Sequence, residues 1–326
     1  MTVSARALFA GPGALRALAD GREGVVELVL TRGAYARLGP DWLLLAEPGV
    51  PFGPLSMAIP GIGRLPVRPG MEVRVLGERL ILGDDAVRFE RVRSRRPPAV
   101  GFLASSRVPA IRAATRSARD RLPAPGARLR EGIAALAAGR VEDAAGLLAG
   151  CGEGLTPAGD DVLAGYAAAG LALHSLGAPD LSLPGGRAAL STLADCRATE
   201  LGLAYLRCAE LGELPEAAAN LLVAICRGSR QGVRVALGSL RDWGGSSGAA
   251  IGWGITAAVS ERLGLPVESA TQPDRARCRR RGDERSAGGA GDRVVDALDP
   301  ALFGAQQDSV ARSEPPSIVP QMARSS

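Results

Sequence analysis

The spacing of apolar positions changes once along this chain, near residue 100. Between residues 24 and 92, apolar or alternating runs such as GVVELVLTRGAY and DWLLLAEPG are separated by Gly, Pro and Asp. Such runs predict strands, and LGERLILGDDAVRF predicts a hairpin with its turn at Gly-Asp-Asp. The stretch at 48–63 holds too many Pro and Gly residues for a central strand. Residues 1–100 are therefore expected to form a small, mostly antiparallel β domain.

Helical spacing begins at about residue 106, beyond the boundary segment RVRSRRPPAVG. Apolar residues then recur at i, i+3 and i+4. The predicted helices cover residues 127–139, 141–150, 160–177, 186–213, 215–228, 230–240 and 249–264. Their many Ala and Gly residues favour close helix–helix packing. These patterns predict a mainly α-helical domain over residues 101–265, so the predicted fold class is α+β.

No apolar period is sustained after residue 265. Such a segment cannot bury enough apolar surface to offset the entropy that ordering costs. Residues 266–326 are therefore predicted to be a disordered C-terminal tail.

The basic and sulfur-containing residues limit the possible chemistry. The 39 basic side chains are all arginine, and the chain has one histidine, His174. Schiff-base lysines, P-loop lysines and lysine general bases are thereby excluded, and a His-based triad would have to use His174. The five cysteines form no C-x-x-C pair, which argues against a disulfide framework or a structural zinc site. We expect no organic cofactor.

Two classes of partner are not expected. The arginine cluster at 91–96 has no aromatic platform beside it, so no nucleic-acid partner is predicted. The chain has no secretory signal pattern and no uninterrupted apolar run of about 18 residues. We therefore expect a cytoplasmic protein without a membrane partner.

One loop, GCGEGLTPAGDDVLAGY (150–166), carries the strongest candidate chemistry. Thr156 and Pro157 suit a helix start, and the two aspartates that follow suit the positive end of the helix dipole. That interpretation leaves the density of glycine around the helix start unexplained. Glycine-rich helix N-termini commonly bind anions through backbone N–H groups. The loop is therefore predicted to hold a small anionic substrate.

Asp160 and Asp161 need a partner if an anion lies beside them. A divalent cation, most simply Mg²⁺, would bridge them to a phosphate, an arginine or amine would lie opposite, or one aspartate would act as a general base. The candidate catalytic residues are Asp160, Asp161 and Thr156, and the candidate metal ligands are Asp160 and Asp161.

A second glycine-rich loop, GGSSG (244–248), directly precedes an Ala-rich helix. Ser246, Ser247 and Gly248 would supply a second set of donors facing the same cleft. The alternative is a flexible connection that ends in an ordinary N-cap.

These motifs resemble those of a known family. GLTPAGDDVLAG (154–165) resembles the loop of the AllH family of oxamate carbamoyltransferase subunits, which usually reads Gly-Leu-Thr-Pro-Ser-Gly-Asp-Asp; Ala158 replaces the serine. GGSSGAAIGWGI (244–255) is similar to the family's Gly-His-Ser/Thr-Ser-Gly helix start, and Gly245 replaces the histidine.

The segment RATELGLAYLRCAELGE (197–213) is similar to the family's Arg-Thr-Thr-x-x-Ser helix. It keeps Arg197 and Thr199, whereas Ala198 and Gly202 replace hydroxyl residues. The resemblance extends over roughly residues 1–265.

The resemblance implies transfer of a carbamoyl group between carbamoyl phosphate and oxamate, with oxalurate formed or cleaved. The activity would belong to an assembly with other carbamoyltransferase subunits, or to a homo-oligomer. Arg197 would bind a carboxylate or phosphate bidentately. The candidate substrate-binding residues are Gly152, Gly154, Gly159, Arg197, Thr199, Ser246, Ser247 and Gly248.

Two alternatives stay open at this point. The lost polar side chains favour a non-catalytic partner or a small-molecule-binding regulatory subunit that keeps the fold. The aspartate pair also permits a Mg²⁺-dependent hydrolase, in which the pair activates water.

Overall fold

The computed structural model describes residues 2–100, 105–174 and 189–265, and these ranges lie within one compact unit. The predicted disordered tail at 266–326 lies outside the described residues. Within the described ranges, no helix combines the length and the apolar character that a membrane crossing requires.

Residues 2–94 build a ten-stranded sheet and one short helix, α1 (Pro12–Ala17). The strands are β1 (Thr2–Arg6), β2 (Phe9–Ala10), β3 (Glu23–Leu30), β4 (Gly33–Leu38), β5 (Asp41–Ala46), β6 (Ser56–Ala58), β7 (Glu72–Leu76), β8 (Arg79–Leu82), β9 (Asp85–Arg88) and β10 (Arg93–Ser94). Their order is β1-β9-β8-β7-β3-β4-β5-β6-β2-β10.

The mostly antiparallel character predicted for this region is confirmed. Six of the strand pairings are antiparallel, and the pairs β1–β9, β2–β10 and β5–β6 are parallel. The predicted hairpin is formed by β8 and β9, in which Leu82 pairs with Asp85 across the turn. Val73, Val75, Leu80 and Leu82 point alternate apolar side chains into the core of the sheet.

The expectation that 48–63 contains no central strand is wrong. Residues Ser56–Ala58 form β6, which lies between β5 and β2 and pairs with both. The strand is possible because it is only three residues long, and Pro54 and Pro60 lie outside it. No proline therefore interrupts its ladder of hydrogen bonds.

Nine helices follow in the described part of the chain. They are α2 (Val108–Arg119), α3 (Ala127–Ala137), α4 (Val141–Leu148), α5 (Ala158–His174), α6 (Ala189–Ala194), α7 (Glu200–Glu210), α8 (Glu216–Cys226), α9 (Arg230–Leu240) and α10 (Ser247–Leu263). A sheet followed by helices confirms the predicted α+β class. The domain boundaries at residues 100 and 265 stay a prediction.

The single helix predicted over 186–213 is wrong, because the described part of this stretch contains α6 and α7 with a break between them. Thr199 has an extended backbone (φ −71°, ψ 155°), and its hydroxyl accepts a hydrogen bond from the N–H of Gly202. A threonine in that conformation is an N-cap, so it begins a new helix instead of continuing the previous one.

Helices α5 and α10 pack closely and run in the same direction. A Cβ added at Gly165 would overlap the carbonyl of Ile251, and one added at Gly254 would overlap the carbonyl of Val162. Contacts progress along both helices together, from Thr156–Ser247 at their starts to Tyr166–Glu261 further on. The N-termini of α5 and α10 therefore lie at the same end of the helical layer.

Candidate functional site

The two glycine-rich loops predicted to share a cleft do meet. The hydroxyl of Thr156, just before α5, lies 3.2 Å from the hydroxyl of Ser247, the first residue of α10. Ser246 makes no side-chain hydrogen bond that caps α10. The positive ends of two helix dipoles therefore converge at this point.

Asp160 is buried and holds the surrounding chain together. Its Oδ1 accepts a hydrogen bond from the N–H of Gly150 (2.7 Å), and its Oδ2 accepts one from the N–H of Thr199 (3.1 Å). Burial raises the pKa of Asp160, and these hydrogen bonds oppose the rise. The carboxylate thus joins the loop before α5 to the start of α7.

Glycine at position 202 follows from this arrangement. A Cβ there would overlap Oδ2 of Asp160 and lie 2.9 Å from Oγ1 of Thr199. A serine in its place would displace the carboxylate from the N–H of Thr199. The glycine that the sequence analysis treated as a lost hydroxyl is therefore required by the contact that Asp160 makes.

Asp161 differs from its neighbour in having an unused oxygen. Asp161 is only 4% exposed, and its Oδ2 has no hydrogen-bond partner among the described residues. Burial raises the pKa of Asp161 to about 7; the hydroxyls of Ser247 and Thr156 oppose the rise, and the charge of Asp160 adds to it. A carboxyl of this kind exchanges a proton near neutral pH.

The loops beside Asp161 carry backbone donors that the rest of the described chain does not use. The N–H groups of residues 152–156 and of Gly245 and Ser246 donate to none of the described residues. Gly152 and Gly154 have positive φ angles of 121° and 94°, and a Cβ at Gly154 or Gly245 would meet open space. Exposed N–H groups beside two helix N-termini are suited to an anion.

Three other predicted substrate-binding residues contact their own chain. Gly159 donates its N–H to Cys151 (2.8 Å), Gly248 donates its N–H to Trp243 (3.1 Å), and a Cβ at either glycine would overlap a backbone carbonyl. The hydroxyl of Thr199 donates to the carbonyl of Leu155 (2.8 Å). These residues shape the two loops.

Arg197 is exposed, and one of its nitrogens donates to the carbonyl of Gly146 (2.7 Å). Its other guanidinium N–H groups bond to none of the described residues. Its backbone carbonyl packs against Gly150, where a Cβ would overlap it. Arg197 therefore borders the loop before α5 and keeps donors free.

The two predicted metal ligands, Asp160 and Asp161, differ in their hydrogen bonds. Both oxygens of Asp160 accept backbone hydrogen bonds, so Asp161 alone keeps an oxygen that is free. In the described part of the chain, no group of three or more His, Cys, Asp or Glu side chains is placed to hold a metal ion. Each oxygen of Asp160 keeps a second lone pair, so Mg²⁺ bound by Asp160 and Asp161 stays a prediction.

An aromatic cluster that the sequence analysis missed lies at the boundary of sheet and helices. Tyr35 of β4 and Tyr205 of α7 place their hydroxyls 3.2 Å apart, and the rings of Trp42 and Trp243 meet them edge-on. The chain has only three tryptophans and three tyrosines, and four of these six residues gather here. The rarity of these residues was the one sequence signal for the cluster. It could not show that the two tyrosines meet, because they lie 170 residues apart in the chain.

The motif-bearing half of the helical layer also matches a described family. Residues 148–259 match the family model of the oxamate carbamoyltransferase subunit AllH. The AllH match begins at the end of α4 and extends into α10, so it includes both convergent loops and excludes the whole sheet. It confirms the predicted resemblance over residues 148–259, and the extension of that resemblance over the sheet stays a prediction. No match was found among curated proteins or among solved structures.

Proposed function

We propose that this chain is a subunit of a carbamoyltransferase and that it binds a small anionic substrate at the N-termini of α5 and α10. The observation that carries the proposal is the carboxyl of Asp161. It is buried between these helix starts, with Oδ2 unpartnered among the described residues. The match of residues 148–259 to AllH supports the same reaction class.

The unused N–H groups explain how an anion would bind. Residues 152–156 present a run of donors on one side of the Thr156–Ser247 contact, and Gly245 and Ser246 present donors on the other. The helix dipoles add positive potential at the same end. Carbamoyl phosphate and oxamate are both small anions, and two donor sets would accommodate one of each.

Carbamoyl transfer needs these groups and no lysine, histidine or cysteine nucleophile. The amide nitrogen of oxamate forms a bond to the carbamoyl carbon, and the bond from that carbon to the phosphate oxygen breaks. Phosphate leaves, and the nitrogen loses a proton. Backbone N–H groups would stabilise the charge on the tetrahedral oxyanion. In this proposal Asp161 accepts the nitrogen's hydrogen bond and then its proton, while Thr156 and Ser247 orient the carboxyl.

Thermal unfolding with ligands tests the proposal. The full chain would be heated with carbamoyl phosphate, oxamate or phosphate, each with and without Mg²⁺, alone and together with its partner subunits. Binding to the folded state stabilises it by RT ln(1 + [L]/Kd), so Tm rises with the logarithm of ligand concentration once that concentration exceeds Kd. We expect carbamoyl phosphate to raise Tm, and we expect Asp161→Asn to abolish transfer activity in the assembled enzyme.

Asp143→Asn is the matched control, because Asp143 lies exposed in the first turn of α4 and, among the described residues, pairs only with Arg140 (3.4 Å). It should leave binding and activity unchanged. If none of the three ligands raises Tm in any arm, the proposed site is wrong. An effect that requires Mg²⁺ would support the predicted metal.

A second candidate function is a non-catalytic or regulatory subunit. The observation that favours it is that several motif residues make hydrogen bonds within the chain and so hold the loops in place. These residues are Asp160, Gly159 and Gly248. In that case the assembled enzyme would keep its activity in the Asp161→Asn variant.

A further inference from the structure

The two tyrosines at the boundary of sheet and helices have a hydrogen-bond donor left over. Tyr35 and Tyr205 carry two hydroxyl protons, and one of them lies in the 3.2 Å contact between the hydroxyls. Neither hydroxyl has another partner among the described residues. One phenolic O–H is therefore free to donate to a group that this chain does not supply. Tyrosine hydroxyls in closely packed surroundings usually have such a partner.

The tyrosines are joined by packing to the loop before α10. The ring centroids of Tyr205 and Trp243 lie 6.2 Å apart in an edge-on contact. The carbonyl of Trp243 in turn accepts a hydrogen bond from the N–H of Gly248, in the first turn of α10. Trp243 also fills the space beside Gly53, where a Cβ would overlap its ring. The sheet, α7 and the start of α10 thus hold one another in place.

Helix α7 joins the tyrosine pair to the turn that holds Asp161, because Thr199 at its start donates its N–H to the neighbouring Asp160 and Tyr205 follows in the second turn of the helix. Burial raises the pKa of both phenols, and the charge of Asp161 raises each of them further. Asp161, Tyr35 and Tyr205 belong to three different elements. Oδ2 of Asp161 and one O–H of the tyrosine pair both have hydrogen-bonding capacity that no described residue uses.

We propose that the hydroxyl pair of Tyr35 and Tyr205 forms a second wall of the Asp161 site and donates one hydrogen bond to an oxygen of the bound small molecule. The inference rests on the proposed function, since it takes the Asp161 site to be a ligand site. It adds a contribution from the sheet: Tyr35 lies outside the segment that matches AllH. The helical half is then incomplete as a binding site by itself.

Phenylalanine variants test this role directly. Tyr35→Phe and Tyr205→Phe remove the hydroxyls and keep the rings that pack against Trp42 and Trp243. Binding of oxamate to the full chain, with its partner subunits present, would be measured by calorimetry. Loss of one hydrogen bond to a charged ligand weakens binding by roughly 10- to 100-fold, so the variant that lacks the donating hydroxyl should raise Kd by at least about tenfold.

Tyr166→Phe is the matched control. It makes the same chemical change at a buried tyrosine whose hydroxyl donates to Glu261 (3.0 Å) and whose position is further along α5. We expect it to leave Kd within about twofold of the wild type. Thermal unfolding of all three variants checks that the fold is retained.

The outcomes separate this inference from the function on which it rests. If oxamate binds the wild type and both tyrosine variants bind it equally well, the inference is wrong and the proposed site stands. An equal loss in Tyr166→Phe would also overturn it, because the effect would then be one of stability. If no small anion binds the wild type, the proposed function fails, and this inference fails with it.

Discussion

The hydroxyls of Thr156 and Ser247 lie 3.2 Å apart across 91 residues of chain, and both stabilise the charged form of Asp161. This contact brings the two predicted loops into one site. It also predicts a coupling between Ser247 and the ionisation of Asp161, because a hydrogen bond to a carboxylate lowers its pKa.

Removing the hydroxyl of Ser247 should raise the pKa of Asp161 above about 7. A double-mutant cycle measures this at pH 8 by chemical denaturation. Asp161→Asn should then stabilise the Ser247→Ala background more than it stabilises the wild type. Ser239→Ala, in the exposed part of α9, is the control and should show no coupling. Equal effects in all three backgrounds would mean that Ser247 does not act on Asp161.

Asp161→Asn should stabilise the folded protein at high pH. Burial raises the pKa of Asp161 in the folded protein to about 7 from its ordinary value of 3.8, so the stability that the protonated carboxyl contributes is lost as pH rises through the folded value. Asparagine carries no charge, so it removes the free-energy cost of burying the ionised carboxylate. The free energy of unfolding should rise by on the order of 4 kcal/mol at pH 8, given about 1.4 kcal/mol for each pKa unit, and hardly at all at pH 4. Urea titrations at both pH values measure the difference, and a gain that is independent of pH would contradict this explanation.

The same substitution one residue earlier should have the opposite sign. Asp160→Asn replaces one acceptor oxygen by an NH₂ group that faces the N–H of Gly150 or Thr199. A buried donor loses its partner, so we expect a loss of about 1–3 kcal/mol at pH 8. Urea denaturation of the two asparagine variants side by side makes each the control for the other. A stabilised Asp160→Asn protein would show that its two backbone contacts contribute little.

Restoring the family's hydroxyl at position 202 should damage this chain. Gly202→Ser would place Cβ against Oδ2 of Asp160 and force the carboxylate to move. We expect a loss of stability of about 1–3 kcal/mol, typical of overpacking in a closely packed region. Gly238→Ala in α9 is the control, because a Cβ there meets nothing within 4 Å and alanine favours a helix. Thermal unfolding compares the two, and an unchanged Tm for Gly202→Ser would contradict the steric explanation.

Periodicity alone predicted much of the fold. The α+β class, the β8–β9 hairpin and most helices follow from residue spacing within short windows. The errors lie where a local signal was ambiguous. The three residues of β6 are too few to show a period beside their flanking prolines, and the N-cap at Thr199 lies inside a stretch whose apolar spacing continues through it.

The sequence predicted that the two glycine-rich loops belong together, but it could not distinguish the roles of the residues within them. Asp160 and Asp161 are the same residue type in the same turn, and only distant partners distinguish them. Gly150 and Thr199 take both oxygens of Asp160, whereas Ser247 reaches Asp161 from another helix. The contact between the two tyrosines could not be predicted for the same reason, since Tyr35 comes from the sheet and Tyr205 from α7.

The glycines in the interior of the α5–α10 pair have a consequence for the choice of substrate. Because Gly165 and Gly254 bring the two backbones into direct contact, they set how far apart the helix starts stand. If the proposed substrate spans the two loops, its size is set about two turns along the helices from them. Under that proposal, variation within the loops would change which chemical groups are recognised, while variation at these glycines would change how large the recognised molecule is.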